Sequence, residues 1–392
     1  MLYDFDEIID RRGTNSLKYD FAAERGMPAD VLPLWVADMD FRAPREVLDA
    51  LRDAAAHGIF GYSDDCGSGV EAARAWFRRE FAYDPQPEWT VKSPGVVFAL
   101  ATAVRAFTAP NDAALIQEPV YYPFSGVITA NGRRVVSSPL VIDADGRYHI
   151  DFDDFERQIV ANGVKLFLLC SPHNPVGRVW TLAELQQLGD ICRRHKVIVV
   201  ADEIHCDFVW DENRHRVFST VADFADFTVV CTAPSKTFNL AGLQTSNIFI
   251  ADAGLRRRFQ QALRVSGYSQ LNQLGLVATE SAYRHGRDWL TQLRKYLVAN
   301  RDFMSDFLRR ELPAVKMTPL EGTYLTWVDC RPLGFSHREL NDRIVQRGKL
   351  WLDDGLIFGK SGAGFQRFNI ACPRATLAEA LKRFAEALTK DN

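Results

Sequence analysis

Five short, almost unbroken apolar runs, at 113–117, 164–170, 197–201, 227–231 and 246–250, constrain the fold of this chain more than any other feature. Each has the length of a strand, and none shows the strict polar alternation of a strand with one wet face. Such runs mark strands covered on both faces. Helical stretches separate them. Residues 181–195 carry Leu182, Leu185, Leu188 and Ile191 at helical spacing, and Thr181 with Glu184 makes a capping box at their start. This alternation predicts an α/β fold, a three-layer, mostly parallel sheet wrapped by helices. From residue 287 onward the character changes. A long helix over 288–312, an alternating strand at 323–328, a helix over 338–347, a strand near 365–370 and a last helix over 377–388 predict a smaller α+β domain. The N-terminal stretch has few strands of its own and is assigned to it. The expected division is a large domain over 46–286 and a small domain built from 1–45 and 287–392.

A chain of 392 residues is too long for one simple core and suits such a division. A net charge of -3 and the absence of a basic run argue against a nucleic-acid partner. The longest basic cluster, Arg256-Arg257-Arg258, reads as a solvated face interrupting a helix start. No apolar stretch is long enough to span a bilayer, and the acidic start Asp4-Phe5-Asp6-Glu7 does not resemble a secretory leader. The cysteines are Cys66, Cys170, Cys192, Cys206, Cys231, Cys330 and Cys372. They are odd in number and contain no CxxC pair, so they read as small buried hydrophobes of a reducing compartment. A cytoplasmic protein is expected.

Open α/β sheets bind ligands beyond the carboxyl ends of their strands, and the chemistry-bearing residues cluster there. Lys236 follows the run at 227–231 within Ala233-Pro234-Ser235-Lys236-Thr237-Phe238-Asn239-Leu240-Ala241-Gly242. A partly desolvated amine there can lose its proton and form a Schiff base with an aldehyde. Pyridoxal 5'-phosphate is the aldehyde enzymes most often hold in this way. Asp202 ends the run at 197–201 and would keep a pyridine nitrogen protonated; alone it reads equally as a helix cap. Asn174, in Ser171-Pro172-His173-Asn174-Pro175, could donate to a phenolic oxygen or be a plain turn residue. His205, three residues past Asp202, could aim at the same oxygen. Ser93-Pro94-Gly95-Val96-Val97 joins a strand to a helix whose first amides suit a phosphate, or is an ordinary turn. Tyr121 could stack on a ring. Arg367 has the planar fork that suits a carboxylate, or is a surface arginine on the last strand.

Together these residues resemble the fold-type I pyridoxal-phosphate enzymes, the aspartate aminotransferase-like superfamily, over nearly the whole chain. Leu34-Trp35-Val36-Ala37-Asp38-Met39-Asp40-Phe41, Asp202-Glu203-Ile204-His205 with Asp207-Phe208, the run from Ala233 to Gln244, and Asn369-Ile370-Ala371-Cys372-Pro373-Arg374 resemble the MalY/PatB group of cystathionine β-lyases. The resemblance implies Lys236 as the Schiff-base lysine, Asp202 as ring-nitrogen partner, Asn174 and His205 at the phenolic oxygen, and Tyr121 stacked on the ring. It implies Val96, Val97 and Ser235 at the phosphate, Arg367 and Ala37 at the substrate, and Tyr62 reaching the neighbouring subunit's site in a homodimer with shared active sites. Two positions depart from the wider superfamily. Gln244 stands where an arginine usually meets the phosphate, and Ala233 where a serine is usual. Both look typical of the β-lyase group.

The implied reaction is β-elimination. Lys236 removes the α-proton and a thiolate leaves the β-carbon, so that cystathionine yields homocysteine, pyruvate and ammonia. Transamination begins with the same proton loss, and about 1.4 kcal/mol of barrier shifts the ratio tenfold, so an aminotransferase is the alternative. A coenzyme-binding regulatory protein is a third reading, of another class.

Overall fold

The structure, a computed structural model, describes residues 3–65 and 67–389; Cys66 lies outside them. A seven-stranded sheet forms its centre. In chain order its strands are β1 (Thr90–Ser93), β2 (Ala113–Ile116), β3 (Arg134–Ser137), β4 (Leu166–Cys170), β5 (Ile198–Asp202), β6 (Thr228–Thr232) and β7 (Ser246–Phe249), in the spatial order β1-β7-β6-β5-β4-β2-β3. All run parallel except β7, which is antiparallel to both neighbours. Burial alone cannot set direction, since β7 is buried throughout like β4 and β6. The connection decides it. Between β6 and β7 lie only the four-residue helix Pro234–Thr237 and a 3-10 turn, so the chain re-enters at the end it left, without the crossover helix a parallel strand needs.

The edge strand β3 was not legible as an apolar run. Its Arg134 is exposed and only Val136 is fully buried. The inner strands alternate between two packed layers. Leu166, Leu168 and Cys170 join one buried cluster with Val200 and Cys231, while Phe167 and Leu169 join another with Val199 and Leu188. Burying a leucine of this kind stabilises by about 1.5–3 kcal/mol. The chain turns from β2 to β3 on one side and crosses to β4 on the other, so a crevice opens between the carboxyl ends of β2 and β4.

A second sheet has strands β8 (Lys316–Met317), β9 (Leu325–Asp329), β10 (Asp353–Asp354) and β11 (Phe365–Asn369), antiparallel in the order β8-β9-β11-β10. The helices Arg287–Glu311 and Arg374–Leu388 contribute Leu293, Leu297, Met304, Leu381 and Phe384 to the buried cluster around it. The single helix expected over 338–347 is a helix over His337–Asp342 that continues as one π turn, Arg343–Arg347. Near the N-terminus, Leu32–Pro33 pairs in parallel with Leu350–Trp351. Among the described residues all six cysteines are buried and free, and no helix is long and apolar enough to cross a membrane. In the basic cluster Arg257 and Arg258 are exposed, but Arg256 is half-buried and donates to the carbonyls of Ile250 and Ala251 at 2.7 and 2.9 Å, tying its helix to the end of β7.

Candidate active site

Lys236 sits in the short helix just past β6, opened by Pro234 at a position where a missing N–H costs nothing. Its neighbour Thr237 donates to the buried carboxylate of Asp207 at 2.6 Å, which also accepts from the Trp76 indole at 3.0 Å. Asn239, at φ +58°, uses its whole amide on the segment before the first long helix: Oδ1 accepts from Met39 N at 3.0 Å, and Nδ2 donates to the carbonyls of Met39 and Phe41 at 2.9 and 2.8 Å. The lysine's position is thus locked on both sides. Its Nζ donates to the Ala37 carbonyl at 2.7 Å. Burial brings the amine down to about 8, with Arg367 adding to the shift and Asp38 and Asp202 opposing it.

Asp202 closes β5, paired across the sheet with Cys170 and Cys231, and is 4 % exposed. No helix follows it, so it is not a cap; it accepts from the Ile204 amide at 3.2 Å. Burial pushes the carboxyl up to about 7, despite the Ile204 hydrogen bond and the Lys236 charge. His205 is buried, its Nδ1 has no partner, and burial together with Lys236 and Arg367 holds its pKa well below the usual imidazole range. It is neutral here.

Arg367 is not a surface arginine. It is 2 % exposed in the middle of β11, between Trp327 on β9 and Asp353 on β10. It donates to Asn174 Oδ1 at 3.0 Å, to the Trp35 carbonyl at 2.8 Å and to the Asp353 carboxylate, and its Nε is unpartnered. Burial raises Asp353 to about 6 even beside this guanidinium. Opposite, the helix Val96–Phe107 begins after Gly95 at φ +93°, and its first amides lie beyond the reach of any intrahelical acceptor.

One cavity joins these parts. Ala37, Val96, Val97, Tyr121, Asn174, Asp202, His205, Ser235 and Lys236 all line it, and Arg367 adjoins it through Asn174. Tyr121 is half-buried there, its phenol pKa raised by burial. Gln244, at φ +50°, and Thr245 complete the wall. Tyr62 stands apart. It is 98 % exposed and lies in a separate surface groove with Phe60, Tyr268 and Leu271. Several residues of the site escaped sequence reasoning. Asn239 and Asn369 stand in motifs whose residue types give them no chemical role, yet Asn369 Nδ2 donates to the carbonyls of Val36 and Asp38 at 2.7 and 2.5 Å. Asp353 and Tyr324 had no local signal at all.

The arrangement can capture an aldehyde, hold a protonated ring and bind a carboxylate. The chain is similar to known proteins over nearly its whole length. The chain matches the aminotransferase class I and II family over residues 29–384. It is 43% identical over 386 residues to the cystathionine beta-lyase PatB of Bacillus subtilis, covering 98% of this chain and 100% of that protein. Cystalysin from Treponema denticola, whose crystal structure contains a pyridoxal 5'-phosphate cofactor, superposes with a TM-score of 0.95 at 36% identity, over 99% of each chain. The PLP-bound C-S lyase from Staphylococcus hominis superposes with a TM-score of 0.92 at 34% identity, over 99% of this chain and 98% of that one. With the family match, the relatives' coverage and the superposed fold in agreement, this chain belongs to the aminotransferase class I and II family.

Proposed function

We propose that this protein is a pyridoxal-phosphate-dependent carbon–sulfur lyase that cleaves cystathionine, and other thioether conjugates of cysteine, to a thiol, pyruvate and ammonia. The observation that carries the reading is the meeting of Lys236 and Asp202 in one cavity, at the ends of adjacent strands. The residues present fit the coenzyme. Asp202 is a buried carboxylate with a backbone N–H as donor, and a protonated pyridine nitrogen restores the charged partner it lacks. The unpartnered Nδ1 of His205 and the amide of Asn174 suit the phenolic oxygen. Tyr121 suits the ring face, and the amides of Val96 and Val97 with the Ser235 hydroxyl suit the phosphate.

When bound, the coenzyme supplies an aldehyde for the substrate amine and an electron sink for the α-carbon. Arg367 takes the substrate α-carboxylate with its two-pronged fork, releasing Asp353, and Ala37 lines the substrate's side of the cavity. Lys236, whose amine is brought to about 8, takes the α-proton as general base. Asp202 would be held in its ionised form by a protonated ring nitrogen and would keep that proton in place. With the α-proton gone and sulfur on the β-carbon, the C–S bond breaks, the thiolate leaves, and the three-carbon remainder hydrolyses to pyruvate and ammonia. The exposed Tyr62 serves the neighbouring subunit's phosphate in a homodimer. The division into a large domain over 46–286 and a small domain of 1–45 with 287–392 belongs to the same reading, supported by the pairing of Leu32–Pro33 with Leu350–Trp351. So does a cytoplasmic location, supported by the six buried free cysteines.

The deciding assay incubates the purified, coenzyme-loaded protein with cystathionine, with and without a keto-acid acceptor. Pyruvate formed without acceptor is expected. Amino-group transfer seen only with acceptor overturns the lyase reading in favour of an aminotransferase, and neither product overturns both.

A further inference from the structure

The Ala37 carbonyl oxygen accepts two hydrogen bonds in the floor of the cavity, from Lys236 Nζ at 2.7 Å and from the Tyr324 hydroxyl at 3.0 Å. Tyr324 is fully buried, edge-on to Phe208 at 4.9 Å and to His205 at 5.6 Å between ring centroids. The carbonyl does not need the tyrosine to stay in place. The segment that carries it is held by Asn369 at Val36 and Asp38, by Arg367 at Trp35, and by Asn239 at Met39. What the hydroxyl adds is a competing donor. A carbonyl oxygen already accepting one hydrogen bond has one lone pair and less negative charge left to offer a second.

We propose that Tyr324 is a positioning residue for Lys236. Its hydroxyl occupies one side of the Ala37 carbonyl and so limits how firmly that oxygen holds the lysine amine, leaving Nζ free to turn into the cavity as a neutral base. The inference rests on the reading of Lys236 as the amine that carries pyridoxal phosphate. The charged and titratable groups around Lys236 among the described residues are Asp38, Asp202, His205 and Arg367, with Tyr121 and Cys170 in the same cavity wall. All remain when the hydroxyl is removed, so a comparison of parent and Tyr324→Phe isolates one hydrogen bond.

The test mixes the full-length chain, freed of coenzyme, with pyridoxal phosphate between pH 6 and 10 and follows the rise in visible absorbance. Tyr324→Phe strengthens the hold on the protonated amine, so the pH midpoint of capture moves up by about half to one unit. Capture at pH 7 then slows by about 3- to 10-fold. The acid limb of the kcat profile of the loaded enzyme moves in the same direction. A midpoint that stays put, or moves down, overturns the proposal. Tyr324→Leu removes the ring as well. If it lowers the melting temperature while Tyr324→Phe leaves the midpoint unchanged, the tyrosine is packing alone and the proposal fails. Borohydride reduction and peptide mapping of the parent separate this from the underlying reading. A pyridoxyl group on a lysine other than Lys236 sinks the functional assignment itself.

Discussion

Two of the clusters of buried charge among the described residues, one around Arg178 and one around Lys236, are built on opposite plans. Around Arg178 every group is answered. The guanidinium donates to both oxygens of Glu184 at 2.9 Å, to Glu321 at 2.9 Å and to the Tyr148 carbonyl. Glu321 also accepts from the Val179 amide at 2.9 Å. Glu184 in turn has its carboxyl lowered by Arg178 and the capping-box donors of Thr181, against the opposing effect of burial. Around Lys236 and Asp202 the groups are left wanting. Asp202 is raised to about 7, Lys236 is lowered to about 8, and His205 Nδ1 has no partner. A satisfied buried ion cluster fixes geometry, here joining the turn after β4 to Glu321 ahead of β9. An unsatisfied one stores desolvation that a ligand can relieve.

The contrast breaks most sharply at Lys236. Lys236→Ala should lower turnover by about 10⁴-fold, roughly 5 kcal/mol of barrier, without lowering the stability of the coenzyme-free chain. Steady-state pyruvate release with urea unfolding checks both halves, and a variant that keeps full activity refutes the lysine's role. Arg178→Met should do the reverse. It leaves Glu321 with Arg147 as its remaining cation and takes the Arg178 cation from Glu184, and costs about 3 kcal/mol of stability, read as a lower urea midpoint; an unchanged midpoint would show the cluster to be idle.

Asp202→Asn sharpens the comparison through pH. The carboxyl is raised from 3.8 to about 7 in the folded chain, so its stabilising contribution is complete below about pH 4 and lost as pH rises through 7. The asparagine variant, without coenzyme, should therefore be more stable than the parent at pH 8 by about 2–4 kcal/mol, with the gap closing toward pH 4. Parallel unfolding curves at the two pH values would contradict this. The smallest effect is expected for Arg367→Lys, which keeps charge but loses the fork: KM for cystathionine should rise by about 10- to 30-fold. Unchanged KM would remove Arg367 from the carboxylate site.

Much of this architecture is legible in the order of residues. The runs that form β2, β4, β5 and β6 stand out because strands covered on both faces have no polar side to show. Lys236, Asp202 and Asn174 are found because they stand directly after those runs, where the topology of a parallel sheet puts its ligands. The capping box at Thr181 and Glu184 is a purely local device and is present as read. What escapes depends on partners far away in sequence. β3 is short, exposed at one end and defined only by pairing with β2. Asp353 and Arg367 meet because β10 and β11 are neighbours, and Tyr324 touches Ala37 across an interval of 287 residues.

Residue order alone therefore determined most of the elements, the strand ends that carry reactive groups and the family the chain resembles, since periodicity, capping and motif spacing are local properties. Tertiary structure alone decided which of those groups lose water and which find a partner. Desolvation and pairing set whether a lysine is a base or an ion and whether an arginine is free for substrate, and both depend on contacts that the chain makes only when folded.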